Sequence, residues 1–253
     1  MAFWRTKALK TKRTSDSLGG PSLWRSQRES NAHASYGYVQ LLMSLIQEWR
    51  ALLKRPELPF IFAQLPNYTL EPDCDWPRLR DEQRRALTLW NTAMVVTIGY
   101  GEDNDLHPLD KRHVAQRLAT AAESLVYGRD REPMGPLPVM AIHKDDGIEI
   151  SFIHTGGGLV CTGDVPFDIL EPGGSIYRVK ACRYDCHGGH LIKVPISQEI
   201  RLNRGTLIRY AWDLSPELFL YNDQGLPATP FELRKVRSTT RDHTHLLQRT
   251  ASI

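Results

Sequence analysis

The chain has 253 residues, of which 41% are hydrophobic and 24% are charged, and its net charge is +3 at pH 7. These totals are those of an ordinary globular protein, and the length suffices for one α/β domain or two small domains with proper cores. No apolar run approaches the roughly 18–20 residues that a membrane helix needs, so no membrane span is predicted. Residues 1–17 lack the continuous apolar segment of a secretory signal.

The positive charge is concentrated at the start of the chain. Residues 1–30 contain seven Lys and Arg side chains against two acidic ones. Residues 1–21 are predicted to be a basic, disordered leader because they are polar and contain Gly and Ser. A basic arm of this kind can bind nucleic acid or acidic lipid. No groove-reading motif follows it, so no nucleic-acid partner is predicted.

The segment that follows alternates between helical periodicity and short apolar runs. Such alternation indicates parallel strands joined by crossover helices, the layout of an open α/β sheet. Two strands do not make a stable sheet, and even with a third strand near Ser22–Ser26 the sheet would be only about half a domain. Residues 22–127 are therefore predicted to form an α/β domain. The predicted helices are Ala34–Leu53, Trp76–Trp90 and Pro108–Tyr127, and the predicted strands are Phe60–Leu65 and Thr92–Ile98.

The sequence pattern changes after the third predicted helix. Residues 128–138 are rich in Gly and Pro and are predicted to be a linker. Residues 139–233 contain short alternating segments separated by turn signals such as Asp146-Gly147, and they are predicted to form a small all-β sandwich. Residues 234–253 are polar and are predicted to be a loose tail. The predicted strands are Ile148–Ile153, Ile176–Val179, Leu191–Val194 and Thr206–Tyr210.

Four cysteines in a chain of this length do not indicate a disulfide framework. Cys182 and Cys186 lie close to His187 and His190 in sequence, and zinc accepts thiolate and imidazole ligands. The spacing matches no usual zinc-finger pattern, and a local disulfide or free thiols are the alternatives. No metal and no cofactor are predicted.

A histidine with acidic neighbours follows the second predicted strand. His107 lies close to Glu102, Asp103 and Asp105 in sequence. In an open α/β sheet, ligands bind beyond the carboxyl ends of the strands, and this segment begins at such an end. A neighbouring carboxylate fixes the tautomer of a histidine and stabilises its protonated form, which suits a general base. The alternative is a solvated loop histidine.

Several segments, taken in order, resemble those of sialate O-acetylesterases, which are SGNH/GDSL-like esterases. Asn104–Pro108 with Lys111 is similar to the N-D-I-H-P-x-x-K segment of that family, and Gln27–Ala32 is similar to its Q-G-E-S-N-A segment. Together the similar segments span residues 22–233. The others are Leu45–Arg50 (L-I-x-D-W-R), Phe62–Tyr68 (F-x-Q-L-P-N-Y), Arg209–Trp212 (R-Y-A-W), Leu220–Asn222 (L-Y-N) and Gly225–Phe231 (G-L-P-A-x-P-F).

This resemblance implies a partial SGNH-hydrolase with a flavodoxin-like parallel sheet in residues 22–127, followed by the β-sandwich. It also implies a serine esterase that removes O-acetyl groups from sialic acids or related sugars. In such an enzyme, serine attacks the acetyl carbonyl, histidine takes the proton, and polar groups stabilise the oxyanion. His107 carries over as the base and Asp105 as the carboxylate that orients it. Gln27 and Asn31 carry over as candidate oxyanion stabilisers.

Departures from the family's pattern bear on activity. The family's nucleophile lies in a G-Q-S-N-M-type motif that is absent from the sequence, and Ser30 belongs to a later block. Arg28 replaces the glycine of Q-G-E-S, where a large side chain would crowd a tight turn. The wider superfamily places its acid three residues before the histidine, where this chain has Asn104. We therefore expect a truncated esterase that is weakly active or inactive alone.

The expected partner is an O-acetylated sialic acid or another acetylated glycan, and the family suggests a periplasmic or extracellular location. Missing strands would leave an exposed sheet edge through which the chain associates. The alternative function is a non-catalytic carbohydrate-binding or interaction module, in which Trp212, Phe219 and Tyr221 would stack on sugar rings. Such aromatic residues are more often part of a core.

Overall fold

A computed structural model describes residues 23–25, 29–105, 109–144, 147–181, 186–187, 189–197, 199–203 and 205–237. The described residues form a mixed α/β structure with a small parallel sheet and a larger, mainly antiparallel one. Within this part of the chain, every helix is too short or too polar to cross a bilayer.

The small sheet consists of three parallel strands in the order β1, β2, β3. They are β1 (Leu23–Arg25), β2 (Phe60–Ala63) and β3 (Thr92–Val95). β1 is the third strand that the sequence analysis left open near Ser22–Ser26. Almost every residue of β2 and β3 is buried, which explains why these strands read as continuous apolar runs.

Helices connect and cover the parallel strands. They are α1 (Tyr38–Leu52), α2 (Trp76–Arg85) and α3 (Lys111–Leu125), with 3-10 helices at Glu29–Ala34 and Ala86–Thr88. All three predicted α-helices are present, but each is shorter than predicted. α1 begins after Gly37, whose φ of 82° is left-handed and easy for glycine. α3 begins after Asp110, whose Oδ1 accepts the N–H of His113 at 3.2 Å as an N-cap.

Arg50 fastens the amino ends of β2 and β3 to the end of α1. Its side chain is buried, and its Nε donates to the carbonyl of Leu58 at 3.1 Å. Its Nη2 donates to the carbonyls of Trp90 at 2.8 Å and Asn91 at 3.2 Å. These bonds satisfy carbonyls of the turns that enter both strands, so one side chain fixes where the strands start.

The second part of the chain forms an eight-stranded sheet and a two-stranded ribbon. The sheet order is β8, β7, β11, β13, β4, β5, β10, β9, and all its neighbours are antiparallel except β13 and β4, which are parallel. The ribbon pairs β12 with β6. The bounds are β4 Leu137–Lys144, β5 Gly147–Ile153, β6 Leu159–Cys161, β7 Val165–Leu170, β8 Ile176–Ala181, β9 Cys186–His187, β10 Leu191–Pro195, β11 Leu207–Tyr210, β12 Leu220–Asn222 and β13 Phe231–Arg237.

The four predicted strands of this part correspond to β5, β8, β10 and β11. The sequence analysis missed the other strands. β7 carries Pro166 inside its alternating pattern, which weakens its signal as a strand. β4 begins at Leu137, inside the segment predicted as a linker, and β13 continues into the predicted tail as far as Arg237.

One apolar core joins the strands of the large sheet. Phe231 lies at its centre, with the rings of Tyr210, Phe152 and Phe167 at centroid distances of 5.6, 6.0 and 6.4 Å. The Tyr210 hydroxyl is also buried and accepts the backbone N–H of Phe219 at 3.1 Å. Its polar atom is thereby satisfied, as a buried tyrosine requires.

Candidate functional site

The carboxyl ends of the three parallel strands meet at one edge of the small sheet, where such sheets bind ligands. The 3-10 helix Glu29–Ala34 lies after β1, the segment Gln64–Tyr68 follows β2, and the segment Gly99–Asp105 lies after β3. Three segments of the family resemblance therefore converge on this edge. We call this edge the candidate site.

Asn67 links two of these segments and the β-rich part. Its Oδ1 accepts the backbone N–H of Gly99 at 2.9 Å, and its Nδ2 donates to Oγ of Ser215 at 2.7 Å. Ser215 in turn donates to Oδ1 of Asp103 at 2.6 Å. The Thr69 N–H donates to the Asp103 carbonyl at 2.8 Å. The loop after β3 is therefore fixed by hydrogen bonds before it reaches the predicted catalytic histidine.

Glu102 holds both flanks of the segment that contains His107. The Asp105 N–H donates to the Glu102 carbonyl at 3.1 Å, and the Leu109 N–H donates to the Glu102 carboxylate at 3.2 Å. Asp105 is half-buried, so its carboxylate lies within reach of solvent. His107 itself lies outside the described residues, and its predicted contact with Asp105 stays a prediction.

The predicted oxyanion residues are placed less fully. Asn31 lies in the 3-10 helix after β1, at the candidate site, but its side chain lies outside the described residues. Gln27 lies outside them entirely, as does Cys182 of the zinc or disulfide alternatives. Cys186 lies in β9 and its side chain is likewise outside the described part.

Tyr68 is the last residue of the segment that follows β2 at the candidate site. Its ring is buried and packs against Trp76 at a centroid distance of 5.3 Å. Burial raises the pKa of Tyr68, and the negative charges of Glu71 and Asp105 raise it further. The Trp76 Nε1–H donates to the carbonyl of Pro66 at 2.7 Å. The phenol is therefore a neutral hydrogen-bonding group at physiological pH.

Arg80 of α2 joins the candidate site to the β-rich part. Its side chain is fully buried, and its guanidinium donates to the carbonyls of Leu65 at 3.1 Å and Pro66 at 2.5 Å. On the other side it donates to the carbonyls of Asp213 at 2.6 Å and Leu214 at 2.8 Å. Burial lowers the pKa of Arg80. The planar fork of N–H donors suits this role, because one side chain satisfies carbonyls from both parts.

Two comparisons with known proteins bear on this arrangement, although no family model matches the chain. The chain is 27% identical to sialate O-acetylesterase of Mus musculus over 241 residues, covering 81% of this chain and 42% of that protein. It is 28% identical to a carbohydrate acetylesterase of Xanthomonas citri of known crystal structure, with a TM-score of 0.71. That likeness covers 84% of this chain and 50% of the other.

The chain is similar to a sialate O-acetylesterase and to a carbohydrate acetylesterase. The resemblance inferred from its sequence is thus confirmed by two relatives, one of them by structure. The chain spans half or less of the length of each of these relatives.

Trp212 and Tyr221 of the β-rich part make contacts within the protein. The guanidinium groups of Arg78 and Arg209 lie over the ring of Trp212, at 4.8 and 4.5 Å from its centroid. Both arginines also bind the Glu232 carboxylate, at 2.7 Å from Arg78 and 2.8 Å from Arg209. The Tyr221 hydroxyl donates to a backbone carbonyl at 3.1 Å. These contacts indicate structural roles.

A large cavity lies elsewhere in this chain. Its volume is about 790 Å³, and its walls include Met43, Leu89, Trp90, Met134 and Pro138. None of its lining residues belongs to the three segments of the candidate site. The cavity is therefore separate from the chemistry that the sequence predicts.

The sequence analysis missed the residues that fix the candidate site. Ser215 and Arg80 act through contacts more than 100 positions apart in the chain, so no local pattern reveals them. Asn67 lies inside a quoted segment, but its hydrogen bonds to Gly99 and Ser215 depend on the fold.

Proposed function

We propose that this chain carries the histidine and oxyanion parts of a serine esterase centre that hydrolyses O-acetyl esters on sialic acids or related sugars. The observation that supports this most strongly is the convergence of the segments after β1, β2 and β3 on one edge of the parallel sheet. These segments include the residues that resemble the family's catalytic blocks. The names of both relatives, a sialate O-acetylesterase and a carbohydrate acetylesterase, point to the same substrate class.

In the proposed mechanism His107 acts as the general base. Without a recognised serine, it takes a proton from an attacking water and returns it to the departing sugar oxygen as the acetyl carbon–oxygen bond breaks, so the products are acetic acid and the sugar alcohol. Asp105 orients the imidazole and stabilises its protonated form. Asn31 and Gln27 donate to the oxygen that gains negative charge.

The proposed fold assignment follows from the same reasoning. The three parallel strands with their helices are the final part of an SGNH-like, flavodoxin-like domain, and the large sheet with its ribbon is a β-sandwich packed on it. The proposed location is periplasmic or extracellular, since the family suggests it.

Hydrolysis assays test this proposal. Purified chain is incubated with p-nitrophenyl acetate and with a 9-O-acetylated sialic acid, beside the His107→Ala variant. We expect only weak turnover, because the sequence contains no G-Q-S-N-M-type nucleophile motif. His107→Ala should abolish that turnover, because it removes the general base. The matched control is His143→Ala, which changes a half-buried histidine of β4 far from the candidate site in sequence. Turnover that His107→Ala leaves unchanged would count against the proposal.

A further inference from the structure

Three side chains of different chemistry meet beside the candidate site. His33 lies in the 3-10 helix after β1, and Glu71 and Cys74 lie in the turn that leads into α2. Sγ of Cys74 lies 3.1 Å from Oε2 of Glu71 and 3.4 Å from both ring nitrogens of His33, Nδ1 and Nε2. The triangle closes with Nε2 of His33 at 3.4 Å from Oε2 of Glu71. We call these three side chains the thiol triad.

The dimensions of the thiol triad are close to those of a zinc site. A tetrahedral zinc ion bonds sulfur at about 2.3 Å and nitrogen or oxygen at about 2.1 Å, so its ligand atoms lie about 3.4–3.6 Å apart. The three sides of the triangle are 3.4, 3.1 and 3.4 Å. Because Sγ lies equally far from both ring nitrogens, neither ring lone pair points at it, and the exposed His33 ring would turn to bring Nε2 to an ion held by the sulfur and the carboxylate. Three protein ligands leave a fourth position for water.

The backbone holds the ligands in place from both segments. The Cys74 N–H donates to the Glu71 carbonyl at 3.1 Å, so these two ligands share one tight turn. The Asp75 N–H donates to the Ala32 carbonyl at 3.1 Å, which ties that turn to the helix carrying His33. Metal sites need ligands that are positioned before the ion arrives, and this pair of bonds supplies such a frame.

The thiol triad has one buried ligand and two that solvent can reach, so a cation can enter from the solvent side. Cys74 is buried, whereas the side chains of His33 and Glu71 are 65% and 43% exposed. Solvent therefore reaches the site through the imidazole and the carboxylate. Sγ of Cys74 donates to the Glu71 carboxylate at 3.1 Å.

We propose that His33, Glu71 and Cys74 bind one zinc ion, or another divalent cation that accepts sulfur ligands. On binding, the thiol gives its proton to solvent and the resulting thiolate bonds the metal, so one proton is released for each ion. The ion would cross-link the 3-10 helix Glu29–Ala34 to the start of α2. It would thereby fix the segment that carries Asn31 at the candidate site.

Cobalt(II) is a suitable probe because a thiolate ligand gives it a charge-transfer absorption band in the near ultraviolet. The full chain is stripped with chelator, desalted under reducing conditions and titrated with cobalt(II), and zinc is then added as competitor. The same titration is made on Cys182→Ser/Cys186→Ser, which removes the other candidate metal ligands. We expect one cobalt per chain in that variant, with the thiolate band present and reversed by zinc.

Single substitutions in the Cys182→Ser/Cys186→Ser background identify the ligands. Cys74→Ser should abolish the thiolate band, and His33→Gln and Glu71→Gln should each weaken zinc binding at least ten-fold. Cys161→Ser is the matched control, because Cys161 is a cysteine of β6 outside the thiol triad, and it should change the affinity less than two-fold. The Glu71 side chain is 43% exposed, so the isosteric Glu71→Gln change should leave the fold intact, which its Tm without metal checks.

The opposite results are equally definite. A triad held by hydrogen bonds alone would bind no stoichiometric metal once Cys182 and Cys186 are replaced, and this would overturn the proposal. A thiolate band that survives in Cys74→Ser would also overturn it. Thermal unfolding gives an independent check, because zinc should raise the Tm of the parent and leave that of Cys74→Ser unchanged.

Discussion

Asn67 and Ser215 form a direct side-chain hydrogen bond of 2.7 Å across 148 positions of the chain. Asn67 belongs to the segment after β2, and Ser215 belongs to the loop between β11 and β12. Because Ser215 also donates to Asp103 at 2.6 Å, this pair positions the loop that leads to His107. The β-rich part therefore contributes to the architecture of the candidate site.

Replacing Asn67 by alanine should destabilise the protein. The change removes the hydrogen bonds of Asn67 to the Gly99 N–H and to the Ser215 hydroxyl, both of which are part-buried. At about 0.5–1.5 kcal/mol net for each bond, the free energy of unfolding should fall by about 1–3 kcal/mol. Urea unfolding measures the difference. The exposed Gln47→Ala on α1 is the control and should change the free energy of unfolding by less than about 0.5 kcal/mol.

A double-mutant cycle on Asn67→Ala and Ser215→Ala tests whether the two side chains act together. Residues in one hydrogen-bond network usually show a coupling energy of about 0.5–3 kcal/mol. Additive effects of the two substitutions would show that the pair does not connect the two parts.

Arg80→Met should destabilise the protein more strongly. In this variant, the Pro66 carbonyl still accepts the Trp76 Nε1–H, and the Leu214 carbonyl still accepts the Tyr68 N–H. The carbonyls of Leu65 and Asp213 lose the bonds that Arg80 makes to them. The Leu65 carbonyl is left unpaired in the interior, at about 1–3 kcal/mol, whereas Asp213 is exposed and its lost bond costs about 0.5–1.5 kcal/mol. The free energy of unfolding should therefore fall by about 1.5–4.5 kcal/mol.

Arg178→Met provides the comparison for Arg80. Arg178 is 67% exposed and pairs with Asp168 on the surface of the large sheet. Exposed ion pairs contribute about 0–1 kcal/mol, so the loss in urea unfolding should stay within that range. Equal losses for both variants would contradict the structural role assigned to Arg80.

The parts of the fold that sequence reasoning predicted are those with local causes. β2 and β3 are buried on both faces, so they appear as apolar runs between helices. α1 and α3 begin after their N-cap residues, Gly37 and Asp110. The prediction placed both helix starts too early because it followed the apolar periodicity and not these capping residues. β13 was missed because it contains polar residues such as Glu232. The ion pairs of Glu232 with Arg78 and Arg209 depend on the fold and not on neighbouring sequence.

Several polar residues in the segments that resemble the family make structural hydrogen bonds. Gln64 donates to Thr229 Oγ1 at 2.9 Å, and Arg50 satisfies three carbonyls at the sheet's amino edge. Asn222 accepts the N–H of Leu226 at 2.9 Å and donates to the His154 carbonyl at 3.1 Å. Such contacts are set by the whole fold, so the sequence could indicate these residues but not their partners.

Glu232 should make stability depend on pH in the acidic range. Burial alone would raise the pKa of Glu232, but hydrogen bonds and charge from Arg78 and Arg209 outweigh it and lower the pKa. A carboxylate whose pKa is lowered in the folded state stabilises that state above its unfolded pKa of about 4.3. This contribution is lost as the pH falls through the lower, folded pKa.

Glu232→Gln tests that dependence. The variant should be less stable than the parent at pH 7, because Arg78 and Arg209 lose their shared carboxylate. The difference should shrink as the pH is lowered from about 5 towards 2.5, since the parent then loses the same charge. Urea unfolding across this range measures it, with the exposed Glu48→Gln as control. A difference that does not depend on pH would contradict the assignment.

Asp105→Asn should reduce ester hydrolysis less than His107→Ala does. Removing a general base slows a reaction by about 10²–10⁴-fold. Asp105 is proposed to orient that base, so its loss should lower kcat by about ten-fold and leave KM nearly unchanged, with the pH profile shifted to lower pH because the imidazolium loses its carboxylate. Asp130→Asn, an exposed aspartate after α3, is the matched control. If Asp105→Asn leaves both kcat and the pH profile unchanged, His107 works without the support of this carboxylate.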